Sequence, residues 1–252
     1  SAYKLTGSEI AAAAAVQAAE LLLRRYLPSA GIIQAWGDLS DPAQRGRMII
    51  DCNLNLPLLY WAADFSGELR FREAADAHIT RAAKYIVRSD ASTFHTFYMD
   101  AQTGAPLYGK THQGFSDNSC WSRGQSWGIY GFPLVYRYYS NPALIRLASK
   151  LANYYLNRLP EDGICYWDLC FTSRSEPPDS SAAAIAESAD SRRPMAELSA
   201  SPSSRRSRSS STSARLSSRG SLRLTAVWRT RSTTLRAAGV PSRCRASAHA
   251  AV

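Results

Sequence analysis

The chain has 252 residues, 45% hydrophobic and 20% charged, with 30 Lys+Arg against 20 Asp+Glu and a formal net charge of +10. That length is enough for one domain with a real core, and the lack of any run of about 18 apolar residues excludes a membrane-spanning helix. The charge is not spread evenly: residues 1–190 carry 17 basic and 19 acidic side chains, net −2, whereas residues 191–252 carry 13 Arg and the single acid Glu197, net +12.

The first predicted element is a helix from Ser8 to Tyr26. Ser8 can cap it, Glu9 suits its first turn, Arg24 and Arg25 suit its last, and Pro28 stops it. The Ala-rich part, Ala11 to Leu23, lacks the basic lead-in and cleavage site of a signal peptide. Gly31-Ile-Ile-Gln-Ala-Trp-Gly37 reads as a short extended segment. A second helix is predicted over Arg47–Ala63, a turn over Asp64–Gly67 and a third helix over Glu68–Val87. A short strand over Thr93–Met99 leads into a turn-rich connection from Asp100 to Gly109. An aromatic-rich fourth helix follows over Ser119–Tyr139. Asn141-Pro142 signals the start of a fifth, which runs past Tyr155 to Pro160.

The helices over Arg47–Ala63 and Ser119–Tyr139 are apolar nearly all round. Those over Glu68–Val87 and Asn141–Leu159 are amphipathic. Buried and peripheral helices therefore alternate, which is the pattern of a two-layered helical barrel or of a large bundle. Beyond Ala186 the composition changes. Residues 191–252 hold 16 Ser, 13 Arg and 10 Ala, one aromatic (Trp228) and no apolar periodicity, so the segment from 187 is expected to be a disordered basic tail.

Five cysteines (Cys52, Cys120, Cys165, Cys170, Cys244) at irregular spacing, with no C-x-x-C and only four His, point to reduced thiols rather than disulfides or zinc. Asp51 is the only charge between Met48 and Ala63. A carboxylate in such surroundings is either paired, with Arg47 four residues away, or raised in pKa as a general acid requires. Trp121, Arg123, Gln125 and Trp127 form a second cluster. Indoles can stack on sugar rings and Arg can hold a carboxylate, but two tryptophans opening a buried helix can also be core. His95, among aromatics in Phe94-His-Thr-Phe-Tyr98, is open to the same two readings.

Taken in order, several segments form one series: Gly31–Gly37, Ile49-Ile-Asp-Cys52 with Asn55-Leu-Pro-Leu-Leu59, Phe94–Tyr98, Thr111-His-Gln-Gly114, Trp121-Ser-Arg-Gly-Gln-Ser-Trp127, Glu161-Asp-Gly163 and Tyr166-Trp-Asp168. The series closely resembles the unsaturated glucuronyl hydrolase family over residues 1–186. The resemblance implies an all-α fold, part of a six-hairpin (α/α)6 barrel. It implies release of a terminal 4,5-unsaturated glucuronic acid from oligosaccharides by hydration of the vinyl ether, with Asp51 as general acid/base. Trp36, His95, Gln113, Trp121, Arg123 and Trp127 fall where the family contacts substrate. No metal or organic cofactor is implied.

The family also has a preceding section with a second important Asp in a His-Asp-x-Gly-Phe-like segment, and further barrel helices after Pro178–Ala186. Neither is present here. Residues 1–186 are therefore expected to be the central part of a catalytic barrel, and residues 187–252 a product of out-of-frame translation, which would leave the chain's own activity in question. The alternative is a non-enzymatic helical module whose Arg/Ser-rich tail binds nucleic acid. It is disfavoured because the tail has no Lys and almost no aromatics for base stacking. Reduced cysteines and no leader place the expected location in the cytoplasm.

Overall fold

The computed structural model describes residues 2–172 and 176–189. The basic tail and Cys244, with the expectations attached to them, lie outside the described residues. Helix α1 spans Ala2–Thr6 and α2 spans Glu9–Leu23. Ser8 Oγ accepts the Ala11 N–H at 3.4 Å and so caps α2 as its sequence predicts. Helices α3 (Leu56–Ser66) and α4 (Leu69–Tyr85) form a hairpin through Gly67, whose φ of 77° ends α3 in the left-handed region. Helices α5 (Ser122–Tyr136) and α6 (Pro142–Leu156) form the next, with Asn141 Oδ1 accepting the Ala143 N–H at 3.0 Å. A final helix, α7 (Ser180–Ser188), crosses the boundary expected at residue 186 and packs on α5.

The predicted alternation is present. Helix α4 buries Phe71, Ala74, Ala75, His78, Ile79 and Ala82, and α6 buries Leu144, Ala148, Leu151, Ala152 and Tyr155. Both sets recur at three- and four-residue intervals, so each peripheral helix presents one stripe. Helix α5 is buried nearly all round, from Gly124 to Val135. Gly124 and Gly128 let it approach its neighbours: a Cβ at Gly128 would lie 2.5 Å from Leu151 Cδ2 of α6.

Two regions differ from the sequence reading. Arg47–Ala63 is not one helix. It is a strand β3 (Arg47–Ile49), a 3-10 turn (Ile50–Leu54) and then α3. Pro57 explains the break, since a proline inside a helix clashes with the carbonyl four residues back, whereas in the first turn of α3 it is well placed. The connection Asp100–Gly109 contains a strand, β5 (Pro106–Lys110). It pairs antiparallel with β4 (Thr96–Met99), which pairs with β3, giving the order β3-β4-β5. A second two-stranded ribbon joins β1 (Tyr26–Leu27) to β2 (Ile32–Ile33). The fold remains dominated by helices, with these small sheets at one end of the hairpins. Among the described residues no helix is long and apolar enough to cross a membrane.

Gly46 fixes how the sheet starts. Its φ is 84°, its N–H donates to Gln34 Oε1 at 2.9 Å, and its carbonyl accepts from Met99 N at 2.9 Å. A Cβ there would lie 1.9 Å from the Met99 carbonyl oxygen, whereas one at Gly67 would meet nothing within 4 Å. Gly67→Ala should therefore lower stability by about 1–2 kcal/mol, the cost of a left-handed residue alone, and Gly46→Ala by distinctly more. Equal urea midpoints for the two variants would contradict the close approach at Gly46.

Candidate active site

Asp51 sits where β3 passes into the 3-10 turn, and the Ile50 N–H donates to the His95 carbonyl at 3.1 Å. This turn, rather than an α-helix, sets its surroundings. Arg47 and Asn55 do not share a helical face with it, and Asp51 makes no ion pair with Arg47. Its nearest ionisable partner is His95, with Oδ2 3.9 Å from Nε2. That oxygen is inaccessible to solvent and has no hydrogen-bond partner. Burial raises the Asp51 carboxyl above its usual range, opposed by its own backbone N–H, the Arg123 charge and the Trp127 side chain.

His95 is 5% exposed. Its Nδ1 accepts the His112 backbone N–H at 3.1 Å, so the hydrogen-bond network assigns the proton of the neutral ring to Nε2, facing Asp51. Burial, assisted by His112, lowers its pKa to about 4. Trp121 lies over His95 with ring centres 4.7 Å apart, and Trp36 lies 6.2 Å from it on another side. The His112 ring stands edge-on to Trp36 at 4.9 Å, and its Nε2 is 3.3 Å from the Tyr98 hydroxyl. The Arg123 guanidinium is 5.6 Å from the Trp121 ring and donates to Asp179 Oδ2 at 3.1 Å. Asp51, His95, Trp36, Trp121, Arg123 and Trp127 thus converge. Gln113 is exposed, on the loop beside His112.

Gln125, the remaining polar member of the predicted cluster, faces away from this group. It is fully buried, donating to the Ala91 and Leu151 carbonyls at 2.8 and 3.0 Å and accepting from Cys120 Sγ at 3.3 Å. It ties α5 to α6. Burial pushes the Cys52 and Cys120 thiols up to about 12, which keeps them as inert, reduced side chains. Among the described residues no group of three His, Cys, Asp or Glu is placed to hold a metal ion.

Two buried carboxylates were not singled out from the sequence. Asp179 caps α7 by accepting the Ala182 N–H at 3.0 Å, and it anchors Arg123. Burial raises its pKa, but Ser181, Ala182 and Arg123 together outweigh that and hold it below the usual value. An Asp followed by Ser-Ser-Ala is a readable N-cap signal. Asp168, in the Tyr166-Trp-Asp motif, gives no local hint of its role: it gathers backbone and hydroxyl donors from the loop that precedes α5.

Helical hairpins in two layers, with one raised carboxyl among indoles at their sheet-capped end, define a segment of a six-hairpin α/α barrel. No protein-family model matches the chain. An unsaturated chondroitin disaccharide hydrolase of Streptococcus pneumoniae is 48% identical over 185 residues, 73% of this chain and 46% of that protein. The crystal structure of the unsaturated glucuronyl hydrolase of Bacillus sp. GL1 superposes with a TM-score of 0.73 at 46% identity, covering 75% of this chain and 50% of that one. A variant of the Streptococcus agalactiae enzyme complexed with dGlcA-GalNAc6S matches with a TM-score of 0.60 at 43% identity, over 75% and 45% of the two chains. The chain belongs to the unsaturated glucuronyl hydrolase family, and it spans about half the length of the relatives it matches.

Two opposite shifts test the electrostatics of the site. Arg123 stabilises the Asp51 carboxylate, and Asp179 partly neutralises Arg123. Arg123→Met should move the Asp51 titration to higher pH, and Asp179→Asn should move it lower, as read by carboxyl carbon NMR. Shifts in the same direction would refute the coupling. Burial also lowers His78 to about 4, as it does His95. The unfolded chain takes up these protons near pH 6.5 and the fold only near 4, so stability is full above 6.5 and declines as pH falls through that window. The loss approaches about 3 kcal/mol per histidine. A denaturation midpoint that stays flat from pH 7 to 4.5 would contradict this.

Proposed function

We propose that the protein of which this chain is a part hydrolyses the bond between a terminal 4,5-unsaturated glucuronic acid and the next sugar. The observation that carries this reading is the Asp51 carboxyl, raised by burial and set beside a neutral His95 and three indoles. A carboxyl raised in this way keeps its proton to higher pH than an exposed one, and it stays within reach of water, since its side chain is 31% exposed.

The chemistry that fits one such carboxyl is hydration of a vinyl ether. Asp51 gives its proton to C4, and the ring oxygen shares the positive charge that develops at C5. Water adds to C5 while the Asp51 carboxylate takes the water proton, which restores the acid. The resulting hemiketal opens to a ketone at C5, and the hemiacetal at C1 expels the second sugar with its glycosidic oxygen. One residue serves both proton transfers, unlike the paired carboxylates of direct glycosidic displacement. Proton transfer and water suffice, so the scheme calls for no metal or organic cofactor.

The same reading gives the neighbouring side chains their roles. Trp36 and Trp127, both partly exposed, offer faces to the apolar sides of the sugar, Trp121, 6% exposed, lines the site against His95, and Arg123 would take the uronate carboxylate. The Nε2–H of His95 faces Asp51 and the reacting bond, and Gln113 offers an exposed amide from the neighbouring loop. The named activities of the relatives support this substrate class.

The test is loss of the ultraviolet absorbance of the C4=C5 bond when the protein meets an unsaturated glucuronyl disaccharide. Asp51→Asn should lower that rate by about 10²–10⁴-fold. The rate should fall as pH rises through the raised Asp51 pKa, because the proton donor is lost. Full activity in Asp51→Asn would sink the assignment.

A further inference from the structure

We propose that Gln34 is a positioning residue: its buried side-chain amide, braced by Arg25, fixes Trp36 in the pose that receives the sugar. The inference rests on the reading of Asp51 and Trp36 given above and deepens it by naming what holds the indole in place.

The place of Trp36 in the chain calls for such a hold. It follows β2, stands partly exposed and leads into the loop that runs from residue 37 to residue 46, before β3 begins. Gly37, next to it, has a φ of 89°, and Gly46, at the far end, a φ of 84°. Regular structure between them is limited to the short 3-10 turn Pro42–Gln44. The indole lies edge-on to His112 at 4.9 Å, with His95 at 6.2 Å and the Arg47 guanidinium at 5.9 Å from its centre. Ring contacts of this kind tolerate a wide range of angles, so the course of the backbone is left to hydrogen bonds.

Gln34 supplies them. It is 1% exposed, and each of its four polar atoms is bonded. Nε2 donates to the Trp36 carbonyl at 3.0 Å, and Oε1 accepts the Gly46 N–H at 2.9 Å. One amide thus joins the two ends of the loop. Its backbone is held as firmly: the N–H donates to the Arg25 carbonyl at 2.9 Å, and the carbonyl accepts from Arg25 Nε at 2.8 Å. The Arg25 fork continues to the Gly37 carbonyl, with Nη2 donating at 3.0 Å. The Ala35 N–H donates to the Arg47 carbonyl at 3.0 Å. Residues 34–37 are therefore pinned one after another, with Trp36 among them.

The joint needs a donor at one end, an acceptor at the other and no net charge to bury. A side-chain amide meets all three conditions, whereas a carboxylate has no proton for the Trp36 carbonyl and an ammonium no lone pair for the Gly46 N–H. The hydrogen bonds of the Gln34 side chain go to backbone groups, and burial keeps it from the sugar, so its effect on binding passes through Trp36. An indole already ordered takes up the sugar without the cost of being ordered at that moment.

The test is a double-mutant cycle on affinity for a saturated glucuronyl disaccharide, which lacks the C4=C5 bond and is not turned over, titrated into the full chain by calorimetry. Trp36→Ala should weaken binding about tenfold and Gln34→Met about fivefold. The double variant should bind no worse than Trp36→Ala alone, because the indole through which Gln34 acts is gone. Losses that multiply in the double variant, as a general loosening of the site would produce, or wild-type affinity in Gln34→Met, would overturn the inference. Should Gln34→Met fail to fold, Arg25→Met, which releases the Gly37 carbonyl, takes its place in the cycle under the same two criteria. Indole N–H NMR gives a readout that needs no sugar. The Trp36 resonance, identified by its loss in Trp36→Phe, should shift or broaden in Gln34→Met, while that of Trp61, packed against Tyr3 and Phe65, stays. A Trp36 resonance that also stays would overturn the hold. Coupled affinities without absorbance loss on the unsaturated disaccharide sink only the reading of Asp51, whereas absorbance loss with uncoupled affinities sinks this inference alone.

Discussion

A fully buried carboxylate organises the site end of this structure. Asp168 is 0% exposed and accepts from Phe115 N at 2.9 Å, Ser119 Oγ at 2.6 Å, Cys120 N at 3.2 Å and Cys170 N at 3.1 Å. Its neighbours continue the bracket: Leu169 N donates to the Cys120 carbonyl and Ser122 N to the Trp167 carbonyl. The segment after α6 is thereby fastened to the loop before α5. That loop delivers Trp121 onto His95 and carries His112 and Gln113. A buried carboxylate persists only when its lone pairs are satisfied, so the loop must adopt the course that supplies those donors. Arg88 braces it from the other side, donating to the Thr93 and Asp117 carbonyls at 2.9 Å each.

The same physics is used in reverse a few residues away. Asp168 is buried and fully paired, whereas Asp51 is buried on one oxygen and left unpaired there. The first arrangement holds structure and the second stores proton-donating capacity. His95 completes the contrast. Its Nδ1 is committed to the backbone, its ring stays neutral, and it adds no positive charge that would pull the Asp51 proton away. Arg123 would do so more strongly were it not tied to Asp179 on α7.

Much of this was legible in the sequence where local rules decide. Ser8, Asn141-Pro142 and the three- and four-residue apolar spacing of α4 and α6 are local signals, and each acts where it is read. The strand–turn–helix course of Arg47–Ser66 was hidden because an apolar run carries no period that separates a buried strand from a buried helix, and Pro57 was the one mark of the break. Strand β5 was hidden because it is an exposed edge that opens on Pro106. The candidate residues Asp51, His95 and Trp121 were suggested by motif order, but their mutual placement depends on Asp168 and on the Gly46 crossing. Gln125 shows the limit of clustering by sequence: two residues from Arg123 on a helix, it points to the opposite side and into the core.

The central claim is that Asp51 hydrates a double bond rather than displacing a glycoside at C1. The most direct measurement is turnover of an unsaturated glucuronyl disaccharide in deuterated, ¹⁸O-labelled water, with label positions read by mass spectrometry and NMR. Hydration predicts one deuterium at C4 and the heavy oxygen in the ketone at C5, with unlabelled glycosidic oxygen on the released sugar. Heavy oxygen at C1, with C4 free of deuterium, would contradict it.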